Sequence, residues 1–145
     1  MNWQKAAIDD LRCYIARRES VANIKSRLRA LAHEMTALKA TATDKLNVQG
    51  GDARVEDKWL NILVEREKLI NNLRAVRRLV AITERGLEVL TPEERRVLEL
   101  FYISPVERHI DVLMDELCYE KTHVYRLKDR ALKKFARAVY GQVED

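Results

Sequence analysis

Residues 90–140 decide the fold: LTPEERRVLELFY (90–102), ISPVERH (103–109), IDVLMDELCYEKTHVYRLKDRALKKF (110–135), and then a helix end near Gly141. Thr91, Pro92 and Glu94 spell a helix start. The threonine hydroxyl can accept from a free first-turn amide, the proline loses no hydrogen bond at the first helical position, and the glutamate can reach back to the threonine amide. Val97, Leu98, Phe101 and Tyr102 form the inward face of that helix, and Ser104-Pro105 ends it. Ile110, Leu113, Met114 and Leu117 give the next short helix one apolar stripe; Val124, Leu127, Ala131 and Leu132 give another to the helix after it. With Cys118-Tyr119-Glu120 as a tight turn between them, Leu113, Leu117, Val124 and Leu127 have the spacing of two short crossing helices, a helix-turn-helix.

Charge separates these helices. Residues 121–137 hold seven basic side chains (Lys121, Arg126, Lys128, Arg130, Lys133, Lys134, Arg137) and one acid, Asp129. Residues 91–120 reverse the balance, with Arg95, Arg96 and Arg108 against Glu93, Glu94, Glu99, Glu107, Asp111, Asp115, Glu116 and Glu120. Affinity for phosphate is therefore expected on one helix. In a helix-turn-helix the first turns of the second helix enter the major groove, so the side chains that matter are those leaving its apolar stripe. Arg126 has the forked donor geometry for a bidentate contact to guanine, while Thr122, His123 and Tyr125 can meet base edges or phosphates. Lys121, Lys128, Lys133 and Lys134 are expected at phosphates, as is Arg130 unless it bridges to an acid of the preceding helices. The bland alternative is an amphipathic helix with a basic, solvated outer face.

At these residues the chain resembles a known family. The run Leu113, Leu117, Val124, Leu127 and 130–135 (RALKKF) is similar to the last DNA-binding region of sigma-70-type sigma factors, region 4, which reads the −35 promoter element, and 90–98 (LTPEERRVL) looks like the first helix of that region. A long helical hairpin ahead of such a domain, with a Gly-Gly tip, resembles the phage-type ArpU and RinA-like transcriptional regulators. The specific resemblance covers roughly the last third of the chain. It implies a regulator that switches on late phage genes, with RNA polymerase as a protein partner, in the cytoplasm of a bacterial or phage-infected cell. Two positions depart from the pattern: Cys118 stands where such domains carry Gly, and Glu120 where they carry Ser or Thr. Gly relieves strain at positive φ and Ser caps the second helix. The turn is expected to differ in detail, with Thr122 as a substitute cap.

Upstream, residues 3–39 contain neither Pro nor Gly, and Tyr14, Val21, Ile24, Leu28, Leu31, Met35 and Leu38 form a heptad seam broken by Arg17. Ile8, Leu11 and Ile15 lie on a neighbouring face. Residues 40–54, with Gly50-Gly51, read as a loop, either a plain tip or a contact site for a partner. The seam resumes at Trp59, Ile62, Leu69, Leu73, Val76 and Val80, with Arg66 as a polar exception; Leu63, Ile70 and Leu79 widen the stripe. So wide a face is expected to meet more than one neighbour, across a dimer axis or on the C-terminal domain. The basic clusters at 17–18, 25–29 and 74–78 read as solvated faces, with added DNA contact as the other reading. Gly86 falls where a C-cap belongs, and 87–90 is the link onward.

Composition agrees with an all-α protein: 34% of the residues are charged, 47% are hydrophobic, and there are only 4 Gly and 2 Pro. No apolar run approaches the roughly 18 residues of a membrane span, and no signal-peptide core is visible. Cys13 and Cys118 form no close pair and are expected to be reduced, structural thiols. His33, His109 and His123 lie far apart, and no phosphate loop, metal motif or nucleophile elbow is present. No enzyme, metal or cofactor is expected. The sequence thus predicts an oligomerising helical hairpin over 1–88 and a helix-turn-helix domain over 89–145 that binds double-stranded DNA, most simply as a homodimer. A small terminase-like packaging subunit and a coiled-coil adaptor for a protein are the competing readings.

Overall fold

A computed structural model describes residues 2–44 and 52–144. The chain is all-α: α1 (Trp3–Asp44), α2 (Asp52–Glu88), α3 (Pro92–Leu98), a π-helical turn (Glu99–Ile103), α4 (His109–Leu117) and α5 (Lys121–Tyr140). Among the described residues no helix is long and apolar enough to cross a membrane. There are two compact units, one formed by 1–17 together with 78–145 and the other by 18–77. The boundary expected at 88/89 thus falls inside the first unit.

The unit of 18–77 is built on the seam. Leu31, Ile62 and Leu73 are buried; Val21, Ile24, Leu28, Met35, Leu38, Trp59, Leu69 and Val76 are half-buried. The guanidinium of Arg27 donates to both carboxylate oxygens of Glu65, at 2.7 and 3.0 Å, and to Glu34 at 3.2 Å. Arg66, the expected polar exception in the seam, is exposed, and Glu65 is half-buried instead. Helix α1 also outruns its expectation. Ala40 and Thr41 continue it, and the Thr36 and Thr41 hydroxyls donate to the carbonyls of Ala32 and Ala37, at 3.0 and 2.9 Å, so that these polar side chains are accommodated within the helix. Of the loop expected over 40–54, residues 40–44 and 52–54 are therefore helical. Gly50-Gly51 lies outside the described residues.

In the other unit, α5 joins two apolar clusters. Its first half puts Val124 and Leu127 with Val97, Leu100 and Leu113. Its second half puts Ala131, Leu132, Phe135 and Ala136 with Ala7, Leu11, Leu87, Leu90, Leu98 and Tyr102. Helix α5 ends at Gly141 as its sequence predicts and is 20 residues long, more than the short crossing helix that Val124 and Leu127 alone imply, since its apolar stripe has two successive partners. Ala7 and Leu11, both 0% exposed, make the beginning of α1 part of this core, whereas Ile15, on the face expected beside them, stays 37% exposed. Polar contacts tie the same end down: the Trp3 indole donates to the Glu144 carbonyl at 2.7 Å, and Asp10 accepts from Arg17 at 2.9 Å and from the Tyr140 hydroxyl. The charge that interrupts the seam at Arg17 is thereby paired. Burial, reinforced by the Asp10 carboxylate, pushes the Tyr140 hydroxyl well above the usual phenol range.

Gly86 does not cap α2, which runs on to Glu88. It is the point where Phe135 lies against the helix: a Cβ placed there would come within 2.6 Å of both the Phe135 ring and a Val139 methyl. Leu87 and Leu90, assigned to a link, are core residues. Gly86→Ala should therefore lower stability by about 1–3 kcal/mol through overpacking, although helix propensity alone would make it stabilising by about 1 kcal/mol. Urea denaturation reads the sign directly.

Candidate nucleic-acid interface

Helix α3 starts as its sequence dictates. Thr91 caps it with extended backbone (φ −68°, ψ 161°); its hydroxyl accepts from the Glu94 amide at 3.2 Å, and its own amide donates to Glu94 Oε1 at 2.9 Å. Lys134 of α5 donates to the same oxygen at 3.1 Å. Burial on its own would raise the pKa of the Glu94 carboxyl; the Thr91 amide, the Lys134 ammonium and the Thr91 hydroxyl outweigh it and hold the group below the usual carboxylate range. The capping box is thus also the clamp that ties α3 to α5.

Helix α4 is held between two left-handed residues, Arg108 (φ 54°) before it and Cys118 (φ 57°) after it. The turn into α5 accordingly has the positive-φ geometry that favours glycine, with a cysteine in place. On the outer side, Arg96 of α3 grips Glu116 of α4 through two donors, at 2.8 and 2.7 Å. This pairing holds the Glu116 carboxyl low and raises the guanidinium pKa further.

Glu120 occupies the cap of α5 with extended backbone (φ −73°, ψ 157°) and makes no side-chain capping bond. Thr122, the expected substitute, is the second residue of the helix and does not cap it. The absence of a serine or threonine at the cap leaves first-turn amides of α5 without a side-chain acceptor, and such amides suit an anion.

The expected DNA-contacting residues fall into two groups. Lys121, Thr122, His123, Tyr125 and Arg126 are exposed; Thr122, Tyr125 and Arg126 lie on the side of α5 away from buried Val124 and Leu127, and Lys121 and His123 flank that stripe. The remaining three are engaged with other groups of the protein, although Lys134 is itself exposed. Lys134 pairs with Glu94. Lys128 pairs with Asp129 at 2.6 Å and keeps its ammonium 5.8 and 5.9 Å from the Phe101 and Tyr125 ring centres. Lys133 is half-buried and also interacts within the protein. Arg130 is exposed and lines an open groove of about 630 Å³ with Thr91, Glu93, Glu94 and Lys134.

Two aromatic supports escape a reading by sequence spacing. Tyr119 donates its hydroxyl to Glu93 at 2.8 Å, which together with burial raises the phenol pKa, and it sets its ring edge-on to His123 at 4.2 Å. Phe101 meets His109 at 4.5 Å and Tyr125 at 5.9 Å, also edge-on. The interval from Tyr119 to His123 is one helical turn and could have flagged that pair; nothing in the sequence pairs Phe101 with Tyr125. Both cysteines are free thiols and exposed rather than buried. Among the described residues no three of His, Cys, Asp and Glu gather as a metal site.

No known protein-family model, curated protein or solved structure matches this chain.

Two outcomes test the local geometry. Cys118→Gly should raise stability by about 1 kcal/mol, because glycine adopts the left-handed turn without strain; thermal melting checks it. Glu94→Gln should cost about 1–2 kcal/mol through the weakened cap and clamp. Because the folded-state pKa of Glu94 is depressed, its contribution is present above the usual carboxylate range and lost as the pH falls through the lower folded value. The gap between the two proteins in a denaturation series should therefore close in acid.

Proposed function

We propose that this protein binds double-stranded DNA in a sequence-dependent manner, as a helix-turn-helix whose α5 enters the major groove, and that it carries out no chemistry on it. The observation that carries the reading is the exposed set Lys121, Thr122, His123, Tyr125 and Arg126 on the first turns of α5, around and opposite a buried stripe. Arg126 reads guanine through its two forked donors, while Thr122, His123 and Tyr125 meet base edges or sugar-phosphate. Lys121 and the uncapped first-turn amides take a backbone phosphate. Arg130 continues the positive strip along the helix, and Lys128, Lys133 and Lys134, each engaged within the protein, add to its field.

Of the acids near this face, three are engaged within the fold, while Glu120 at the cap of α5 is exposed and must turn away from an incoming phosphate. Glu116 is neutralised by Arg96, Glu94 by Lys134, and Glu93 accepts from Tyr119. Regulation of phage or prophage transcription, in contact with RNA polymerase, is what the resemblance to sigma region 4 and to ArpU and RinA-like regulators adds to this reading.

Binding of labelled duplexes, followed by anisotropy after selection from a random pool, tests it. The protein should bind any duplex at low salt and prefer a defined site as salt rises. Arg126→Ala should cost about 1–3 kcal/mol at the preferred site and relax the choice at one base position. Lys121→Ala should weaken all duplexes alike and lower the salt slope by about 1. Failure to bind at low salt would reduce α5 to a basic solvated helix and favour an adaptor for another protein.

A further inference from the structure

Within residues 18–77, the face of α2 opposite its seam is uncovered. Leu60, Leu63 and Val64 are 59%, 38% and 46% exposed. At 3.6 residues per turn they share that face with Glu56, Glu67, Asn71 and Arg74, while Ile62, Leu69, Leu73 and Val76 share the seam. Three exposed apolar residues are by themselves ordinary on a surface. What singles out this face is the order of charge along it.

Glu56 and Asp57 come first, then the apolar trio, then Glu67 and Lys68, which balance, then Arg74 with Arg77 beside it, all of them exposed. The face is acidic at one end, apolar in the middle and basic at the other, and so complements a reversed copy of itself. A twofold axis near residue 65 sets Glu56 opposite the partner's Arg74 and brings Val64 and Leu63, one and two positions from the axis, beside their own copies. A parallel copy would set acid on acid and base on base, and a nucleic acid laid along the face would meet its acidic end.

We propose that a second copy of this chain covers this face, α2 packing antiparallel on α2 about a twofold axis. The assignment rests on residues 56–77 alone and does not depend on the DNA reading. Three apolar residues per copy make a small core, so association is concentration-dependent, in about the micromolar range.

Sedimentation of the full chain across a concentration series tests it, with circular dichroism and melting of each variant at low concentration as controls of folding. Wild type should pass from monomer to dimer. Leu60→Glu with Val64→Glu should weaken association by about a hundredfold or more. Both positions are exposed within the chain, so the helical signal should be retained. Arg74→Glu should weaken association by about tenfold, and adding Glu56→Arg should restore it, because the reversed pairs then match again. A monomer at every accessible concentration, a ring of more than two copies, association indifferent to the apolar changes, or no rescue by the double charge reversal would overturn the proposal.

Discussion

A phenylalanine ring lying against a glycine determines where α5 sits. Phe135 is fully buried, and the side-chain space missing at Gly86 is what lets it approach α2 so closely. Ala131 and Ala136 keep the same stretch of α5 slim, while Leu11, Leu98 and Leu132 fill the volume around it. The second half of α5 is thereby committed to packing. Its first half rests on a different cluster, Val97, Leu100 and Leu113, and keeps only one stripe covered. A helix seated by one half and supported along one side of the other is a rigid platform, and rigid support is what placing side chains in a groove requires.

The charges follow the same division. The acids of α3 and α4 nearest to α5 spend their charge inside the unit: Glu94 holds Lys134, Glu116 holds Arg96, and Glu93 accepts from Tyr119. At the beginning of α5 the exposed bases Lys121, Arg126 and Arg130 outnumber the acids Glu120 and Asp129 and set the sign of the field on its outer face. Architecture and electrostatics agree because one residue serves both. Glu94 starts α3, and its buried carboxylate then requires a cation, which α5 supplies as Lys134.

How much of this could be read from the sequence depended on how local each determinant is. Thr91-Pro92-x-Glu94 was fully legible, because a capping box is made by residues three apart. The apolar stripes were legible for the same reason, and so was the conflict at Cys118, whose left-handed backbone is what the missing glycine implied. Gly86 was not legible: a glycine near the end of a helical pattern looks the same whether it caps the helix or admits a ring from fifty residues away. The anchoring of Ala7, Leu11 and Asp10 was likewise hidden, since heptad spacing in α1 carries no sign of where one partner gives way to another. The loop expected over 40–54 shrank at both ends; a threonine such as Thr41 can sit in a helix by donating to the carbonyl four residues back, an option composition does not reveal. Among the candidate contacts, charge alone could not separate Arg126, which is exposed, from Lys134, which pairs with Glu94.

The central claim is that the first half of α5 is where this protein meets a duplex. Amide-resolved NMR of the full chain, titrated with a random-sequence duplex at low salt and then returned to high salt, tests it most directly. Perturbations gathered over residues 119–130 and reversed by salt are the result predicted here. Perturbations gathered over residues 18–77 with 119–130 silent, or none at all at low salt, would contradict it.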